Sequence, residues 1–422
     1  MKNVHVSSEI GKLKRVIVHR PDEGIARISP KRAADLLFDD IIHLPQMQTE
    51  HDIFTEILRR FIGSENVLET RDLLIEAVRA DETSKAEIIE KIVDYEELPA
   101  YFKQTLLNLS NEELADCLIT GYLAKTDDIL FDPIPNFIFT RDIAVTVNDH
   151  VIITKAAKTA RFRENFLTRF IIWAHPIFKN LWEEGRIINL NRVELFPPSK
   201  KGELVAIEGG DVMIINQDYL LIGCSERTNE YSIRCLKDVL LEKGVVKNVV
   251  QVDIPHDRSY MHLDTIFTVI SDRHCVAYSP IVVEGLSSWI EVYRQDGTKT
   301  DYATIKEFIT TEINPNMEFI LSGNGESPYQ EREQWTDGCN LVALKSGVAI
   351  TYDRNPMTEI AFKNAGYRVI HAEDLLEAFN NGVTTPQEVE NTIITLSSGE
   401  LSRARGGSHC MTCPIERLDF TV

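Results

Sequence analysis

"RDIAVTVNDHVIITKA", residues 141–156, decides how this chain is read. Asp142 stands ahead of a short β-branched run, a polar "ND" pair follows, and a second apolar run closes the stretch. β-Branched residues suit strands, and a tight polar turn between two such runs is a hairpin signal. The pattern returns as "GDVMIINQDYLLIGCS" at 210–225, "LDTIFTVISDRHCVAYS" at 263–279 and "CNLVALKSGVAITYD" at 339–353. Each time an Asp or Asn (Asp142, Asp211, Asp264, Asn340) sits at the mouth of the first strand. A helix-like segment usually follows, such as "NEYSIRCLKDVLLEKG" at 229–244. A fifth hairpin can be drawn from "LKRVIVHRP" at 13–21 together with the C-terminal stretch. Repeated β-rich units with matching loops at one end imply a closed radial arrangement, with the Asp/Asn positions converging on one central mouth. Ordinary α/β hairpins without symmetry are the alternative.

One region differs. Residues 46–130 show helical rather than alternating periodicity. "EHDIFTEILRRFIG" places Ile53, Phe54, Ile57, Leu58 and Phe61 on one helical face and stops at Gly63. Ser84 precedes Glu87 by three residues, and Ser110 precedes Glu113 likewise, so each pair predicts a capping box. The expected division is an all-helical insertion over 46–130 and an α/β body over 1–45 and 131–422.

The composition narrows the function. With 45 basic against 65 acidic residues the formal charge is −20, which argues against nucleic acid or an anionic membrane as partner. A negative field favours a cationic small substrate. No apolar run is long enough to span a bilayer, and the first residues lack the hydrophobic core of a secretory signal. Seven scattered cysteines, an odd number, predict reduced thiols and a cytoplasmic protein.

Chemistry collects in a few stretches. In "YMHLDT", His262 and Asp264 lie two apart, which in a strand puts an imidazole and a carboxylate on one face. In "AIEGGDV", Glu208 precedes a Gly-Gly turn, where backbone can approach a ligand closely. "PNFIFTRD" sets Asn136, Phe139 and Arg141 just before Asp142. Carboxylates converging beside a phenyl ring describe a seat for a planar cation, and guanidinium offers them five N–H donors. "RARGGSHCMTC" at 403–413 holds Cys410 and Cys413. A zinc site needs a second ligand pair, and a redox pair needs a βαβ context, so a nucleophilic Cys410 fits better. His409 adjoins it, yet sequence neighbours rarely face each other, which makes His262 the expected partner. Cys413 reads as a packed thiol.

These motifs, with "LLFDDI…EHDIF" early and "WTDGCNLVAL…YDRN" late, resemble the arginine deiminase family over nearly the full length. The resemblance implies the fold of the guanidine-modifying enzymes, a five-bladed pseudo-symmetric α/β propeller of ββαβ-type units carrying an all-helical insertion. It implies Cys410 as nucleophile, His262 as general acid/base, and Asp142, Asp264 and Glu208 gripping the guanidinium and handling protons. Arg161, Arg227 and Arg405 would bind the substrate's α-carboxylate, with Asn136 and Phe139 near its amino group; Arg163 is the alternative to Arg161. The implied reaction converts free L-arginine to citrulline and ammonia through an S-alkylthiouronium, with no metal and no organic cofactor. An amidinotransferase, a deiminase of another guanidino compound and a non-catalytic binding propeller are the rival readings. Oligomeric state stays open, a homo-oligomer included.

Overall fold

The computed structural model describes residues 4–38, 40–80 and 82–420; Asp39 of "LLFDDI" lies outside them. The four repeated stretches each form an antiparallel hairpin. These are Ala144–Val147 with His150–Ile153, Val212–Asn216 with Tyr219–Cys224, Phe267–Val269 with His274–Ala277, and Val342–Lys345 with Val348–Tyr352. In every case the second strand also pairs in parallel with a third: Ile187–Asn189, Asn248–Asp253, Glu318–Leu321 and Thr392–Leu396, respectively. Parallel neighbours require a crossover. Helices such as Phe162–Ala174, Glu230–Glu242 and Pro356–Asn364 provide it.

The fifth sheet has the same order, built from distant parts of the chain. Cys413–Arg417 runs antiparallel to Leu13–Val18, which pairs in parallel with Val67–Glu69. The crossover between those last two strands is helix Leu44–Ile62. Its apolar face, with Met47, Phe54, Ile57 and Leu58, packs into the cluster that holds Val16, Val18, Ile350 and Leu396.

That packing places residues on both sides of position 46 against the same sheets. Helix Leu44–Ile62 and strand Val67–Glu69 belong to the α/β body, and the added helices begin at Thr70. They are Thr70–Ala80, Glu82–Tyr95, Tyr101–Leu107 and Asn111–Thr120. Leu73, Ile92, Leu114 and Leu118 share one core with Leu167 and Phe170 of a body helix. The Ser110–Glu113 capping box forms. The Ser84–Glu87 box does not, because the helix has already begun at residue 82 and Ser84 lies inside it.

The mouth positions are turns, not strand residues. Asp142, Asp211 and Asp264 sit in the short 3-10 turns Thr140–Asp142, Gly209–Asp211 and Leu263–Thr265, each just ahead of its hairpin. His262 and Asp264 therefore do not share a strand face, as their spacing had suggested. His262 is extended backbone and Asp264 is inside the turn, so the side chains go to different partners. No described helix is long and apolar enough to cross a membrane.

Candidate active site

Cys410 lies at the end of the loop entering the last strand, and it is buried. Gly406 and Gly407 precede it. Neither has a positive φ. Close approach is what they permit: a Cβ on Gly406 would stand 2.4 Å from the Phe139 ring, and one on Gly407 would stand 2.5 Å from Asn340 Oδ1. Asn340 is thereby pressed against the loop. Its Oδ1 accepts the backbone N–H groups of His409 and Cys410 (3.1 and 3.2 Å), and its Nδ2 donates to Cys410 Sγ (3.2 Å). The thiol itself is directed at Asp264 Oδ2, 3.6 Å away. Burial, reinforced by the carboxylates of Asp264, Asp142 and Asp337, holds the thiol well above its ordinary pKa.

Across the same cavity His262 Nε2 donates to Glu208 Oε2 (3.0 Å). Gly210 makes room for the ring, since a Cβ there would lie 2.7 Å from His262 Nδ1. Burial disfavours the charged imidazole, but Asp142, Glu208 and Asp211 outweigh it and raise the pKa to about 10. His262 is therefore an imidazolium near neutral pH. Glu208 is held low: burial opposes its charge, and Arg161, His262 and Arg227 more than compensate. No hydrogen bond joins His262 to Cys410 among the described residues; the expected pair shares the cavity without touching.

Arg161 faces inward in this structure. Its guanidinium does not stand at the rim as a fork for a carboxylate. Nη1 donates to Asp142 Oδ2 (2.7 Å) and to Glu208 Oε2 (3.3 Å), and Nε donates to Glu164 Oε2 (2.9 Å). A planar cation thus already occupies the carboxylates predicted to grip one. Donor atoms of Asp142, Glu208 and His262 also lie within 4.8 Å of one another, a spacing suited to a metal ion, and the cation beside them is this guanidinium. The alternative, Arg163, points away: it pairs with Glu96 at 2.6 Å and lies over Phe131.

Behind Asp264 runs a buried chain of charges. His409 Nδ1 is 2.8 Å from Asp264 Oδ2, and its Nε2 is 3.3 Å from Glu9 Oε2. Arg141 Nη1 stands 3.6 Å from Glu9. Burial raises the Glu9 carboxyl, but Arg141, His409 and Arg417 bring it down to about 2. Asp264 is likewise lowered against its burial, chiefly by His409.

Asn136, Phe139, Arg227 and Arg405 line the cavity with Asp142, Glu208, His262 and Cys410. Arg227 reaches Glu208 at 3.7 Å, and the Arg405 guanidinium lies 3.5 Å from the centre of the Trp335 ring. The cavity is only about 50 Å³, room for a water or two and far below a ligand pocket of several hundred Å³. Asp211 does not line it; it accepts the Leu263 N–H (2.9 Å) and so fixes the turn between His262 and Asp264. Asn340, His409, Glu9 and Glu164 were not singled out as site residues. Only Asn340 carried a signal, its place in the repeat.

Sheets of this order surround buried carboxylates, a histidine and a thiol. Among solved structures, SxtG, an amidinotransferase from Microseira wollei in the saxitoxin biosynthetic pathway, matches with a TM-score of 0.54 at 13% identity, covering 99% of this chain and 98% of that one. The likeness is one of fold. Residues 34–417 match the model of the family described as arginine deiminase. The arginine deiminase of Limosilactobacillus reuteri is 33% identical over 99% of this chain and 98% of its own length. That of Listeria monocytogenes is 31% identical over 99% and 98%. The chain belongs to the arginine deiminase family.

Proposed function

We propose that the protein hydrolyses the guanidinium group of free L-arginine, giving citrulline and ammonia. The observation that carries this reading is the Arg161 guanidinium bound between Asp142, Glu208 and Glu164: the site already fits a guanidinium, beside a buried thiol. Substrate entry exchanges one guanidinium for another at Asp142. Arg161 swings outward, where with Arg227 and Arg405 it meets the substrate carboxylate. Asn136 and Phe139 flank the amino end.

In the first half-reaction the Cys410 thiol releases its proton to solvent, Sγ attacks the guanidinium carbon, and Asp142 and Asp264 offset the substrate's positive charge on the way to the tetrahedral stage. The C–N bond breaks as His262 gives its proton to the departing ammonia. A planar S-alkylthiouronium is left. In the second, neutral His262 takes a proton from water, the oxygen adds to the same carbon, and the C–S bond breaks to restore the thiol and release the ureido product. Asn340 steadies the sulfur in both. Glu208 keeps the ring oriented and charged between turnovers.

The five like-ordered sheets support a radial five-bladed body, and the helices from Thr70 to Thr120 support a separate appended unit. Seven free thiols favour a reducing, cytoplasmic setting. The test is incubation with L-arginine, with and without an amine acceptor, scoring citrulline and ammonia. Citrulline and ammonia in equal amounts, unaffected by the amine, are expected. Transfer of the amidino carbon to the amine, with ornithine as co-product, would make the protein an amidinotransferase.

A further inference from the structure

Arg169 carries a charge that no acid of the described residues answers. It lies on helix Phe162–Ala174, and Phe166 and Trp173, three residues before it and four after, share its face. Its guanidinium makes no hydrogen bond or ion pair among the described residues. Nε is buried without a partner, and the Phe166 ring 5.6 Å away is its aromatic contact. Burial lowers its pKa, with no carboxylate acting against that. Lys155 is in the same condition: it is half-buried and pairs with no acid among the described residues. It follows strand His150–Ile153, whose Ile153 pairs with Asn189. The chain has 65 acidic against 45 basic residues, so acids are in excess. Two half-buried cations left without one point to an anion that arrives from outside.

The space for it is present. Arg169 lines a cavity of about 360 Å³, a volume that suits a small organic ligand. Most of the wall is flat rings: Phe166, Phe170, Trp173 and Trp182. Trp182 is fixed by its Nε1–H, which donates to Ile172 O (2.8 Å), while Trp173 is 46% exposed. Asn189 adds a polar edge; its Oδ1 accepts from Asn191 (3.0 and 3.1 Å), and its Nδ2 donates to no described residue. Glu87 and Lys91 of helix Glu82–Tyr95 complete the lining and pair with each other, so the acid in the wall is already neutralised. The cavity therefore lies at the seam between the appended helices and the body. We propose that this seam binds a flat aromatic ring carrying an anionic group, phosphate or carboxylate. The tryptophans and phenylalanines take the ring, and the Arg169 guanidinium takes two oxygens of the anion. The inference does not depend on the reaction assigned to Cys410. The helix that would hold the ligand starts directly after Arg161, the guanidinium at Asp142, so the site sits on the element that carries an active-site cation.

Calorimetry on the Cys410→Ser protein tests this with four probes: AMP, phenylacetate, adenosine and inorganic phosphate. AMP or phenylacetate should bind, and the tighter of the two identifies the anion as phosphate or carboxylate. Adenosine lacks the charge and inorganic phosphate lacks the ring, so each should bind at least about tenfold more weakly than that ligand. Arg169→Gln should weaken binding about tenfold or more, and Trp173→Ala about fivefold or more. Trp173 is half-exposed, so its variant reports on the site even where loss of Arg169 unsettles the fold. Excess L-arginine should leave binding unchanged, because the central cavity shares no lining residue with this one. Binding of neither AMP nor phenylacetate, binding that survives both substitutions, or displacement by L-arginine overturns the proposal.

Discussion

Replacing Asn340 by aspartate changes one atom of the site and separates its two jobs. The retained Oδ1 still accepts the N–H groups of His409 and Cys410, so the loop keeps its anchor. The other position changes from a donor 3.2 Å from Cys410 Sγ to an oxygen with no proton to give. A hydrogen bond to a charged group contributes about 1.5–3 kcal/mol. Losing it against the thiolate slows attack by roughly 10–150-fold at about 1.4 kcal/mol per decade. That is a floor, because the new oxygen adds negative charge where Asp264, Asp142 and Asp337 already disfavour the thiolate. Two assays are needed. Citrulline formation should show kcat/KM down by at least about tenfold, and iodoacetamide labelling of Cys410 should shift to higher pH. Melting should fall, because a buried charge is added beside those carboxylates, so the shift in labelling against pH is the deciding readout. A variant with parent-like labelling against pH and kcat/KM within about threefold would refute the claim that Asn340 steadies the sulfur.

Cys410→Ser should abolish citrulline formation, whereas Cys413→Ser should retain it, because Cys413 Sγ is tied to Ala144 O at 3.1 Å and burial pushes that thiol up to about 12; peptide mapping after iodoacetamide labelling checks which thiol reacts first. Arg227→Ala should weaken L-arginine use about tenfold or more while leaving agmatine, which has no carboxylate, nearly unchanged; paired kcat/KM values decide it. Glu9 has a folded pKa of about 2 against an ordinary 4.5, so its stabilising charge is present above pH 4.5 and lost as pH falls toward 2. Glu9→Gln should therefore lower the melting temperature most near neutral pH, and the gap from the parent should close in acid; a constant gap would show that Glu9 acts through packing.

The hairpins were legible because strand runs, turns and the Asp/Asn ahead of them are local properties of short stretches. The boundary of the helical part was not. Helix Leu44–Ile62 has the same amphipathic pattern whether it covers a sheet or another helix, and only the pairing of Val67–Glu69 with Leu13–Val18 assigns it to the body. Within the site, Cys410, His262, Glu208, Asp142 and Asp264 could be picked out because carboxylates, a histidine and a thiol cluster in glycine-bearing motifs. The direction of each side chain could not. Arg161 was legible as a guanidinium near the site, yet whether it faces out toward a carboxylate or in toward Asp142 depends on residues 19 and 47 positions away. Glu9 was invisible and His409 was weighed only as a neighbour of Cys410, since their contact with each other spans 400 positions.

The strand Cys413–Arg417 closes a sheet whose other two members come from near the opposite end of the chain, and it starts three residues after Cys410. During synthesis the edge of Leu13–Val18 waits for a partner that is made long after it. The loop that carries Cys410 is thus set in place only when these distant segments pair. The same arrangement ties the nucleophile to a long-range pairing: separating Cys413–Arg417 from Leu13–Val18 would displace the loop that holds the thiol.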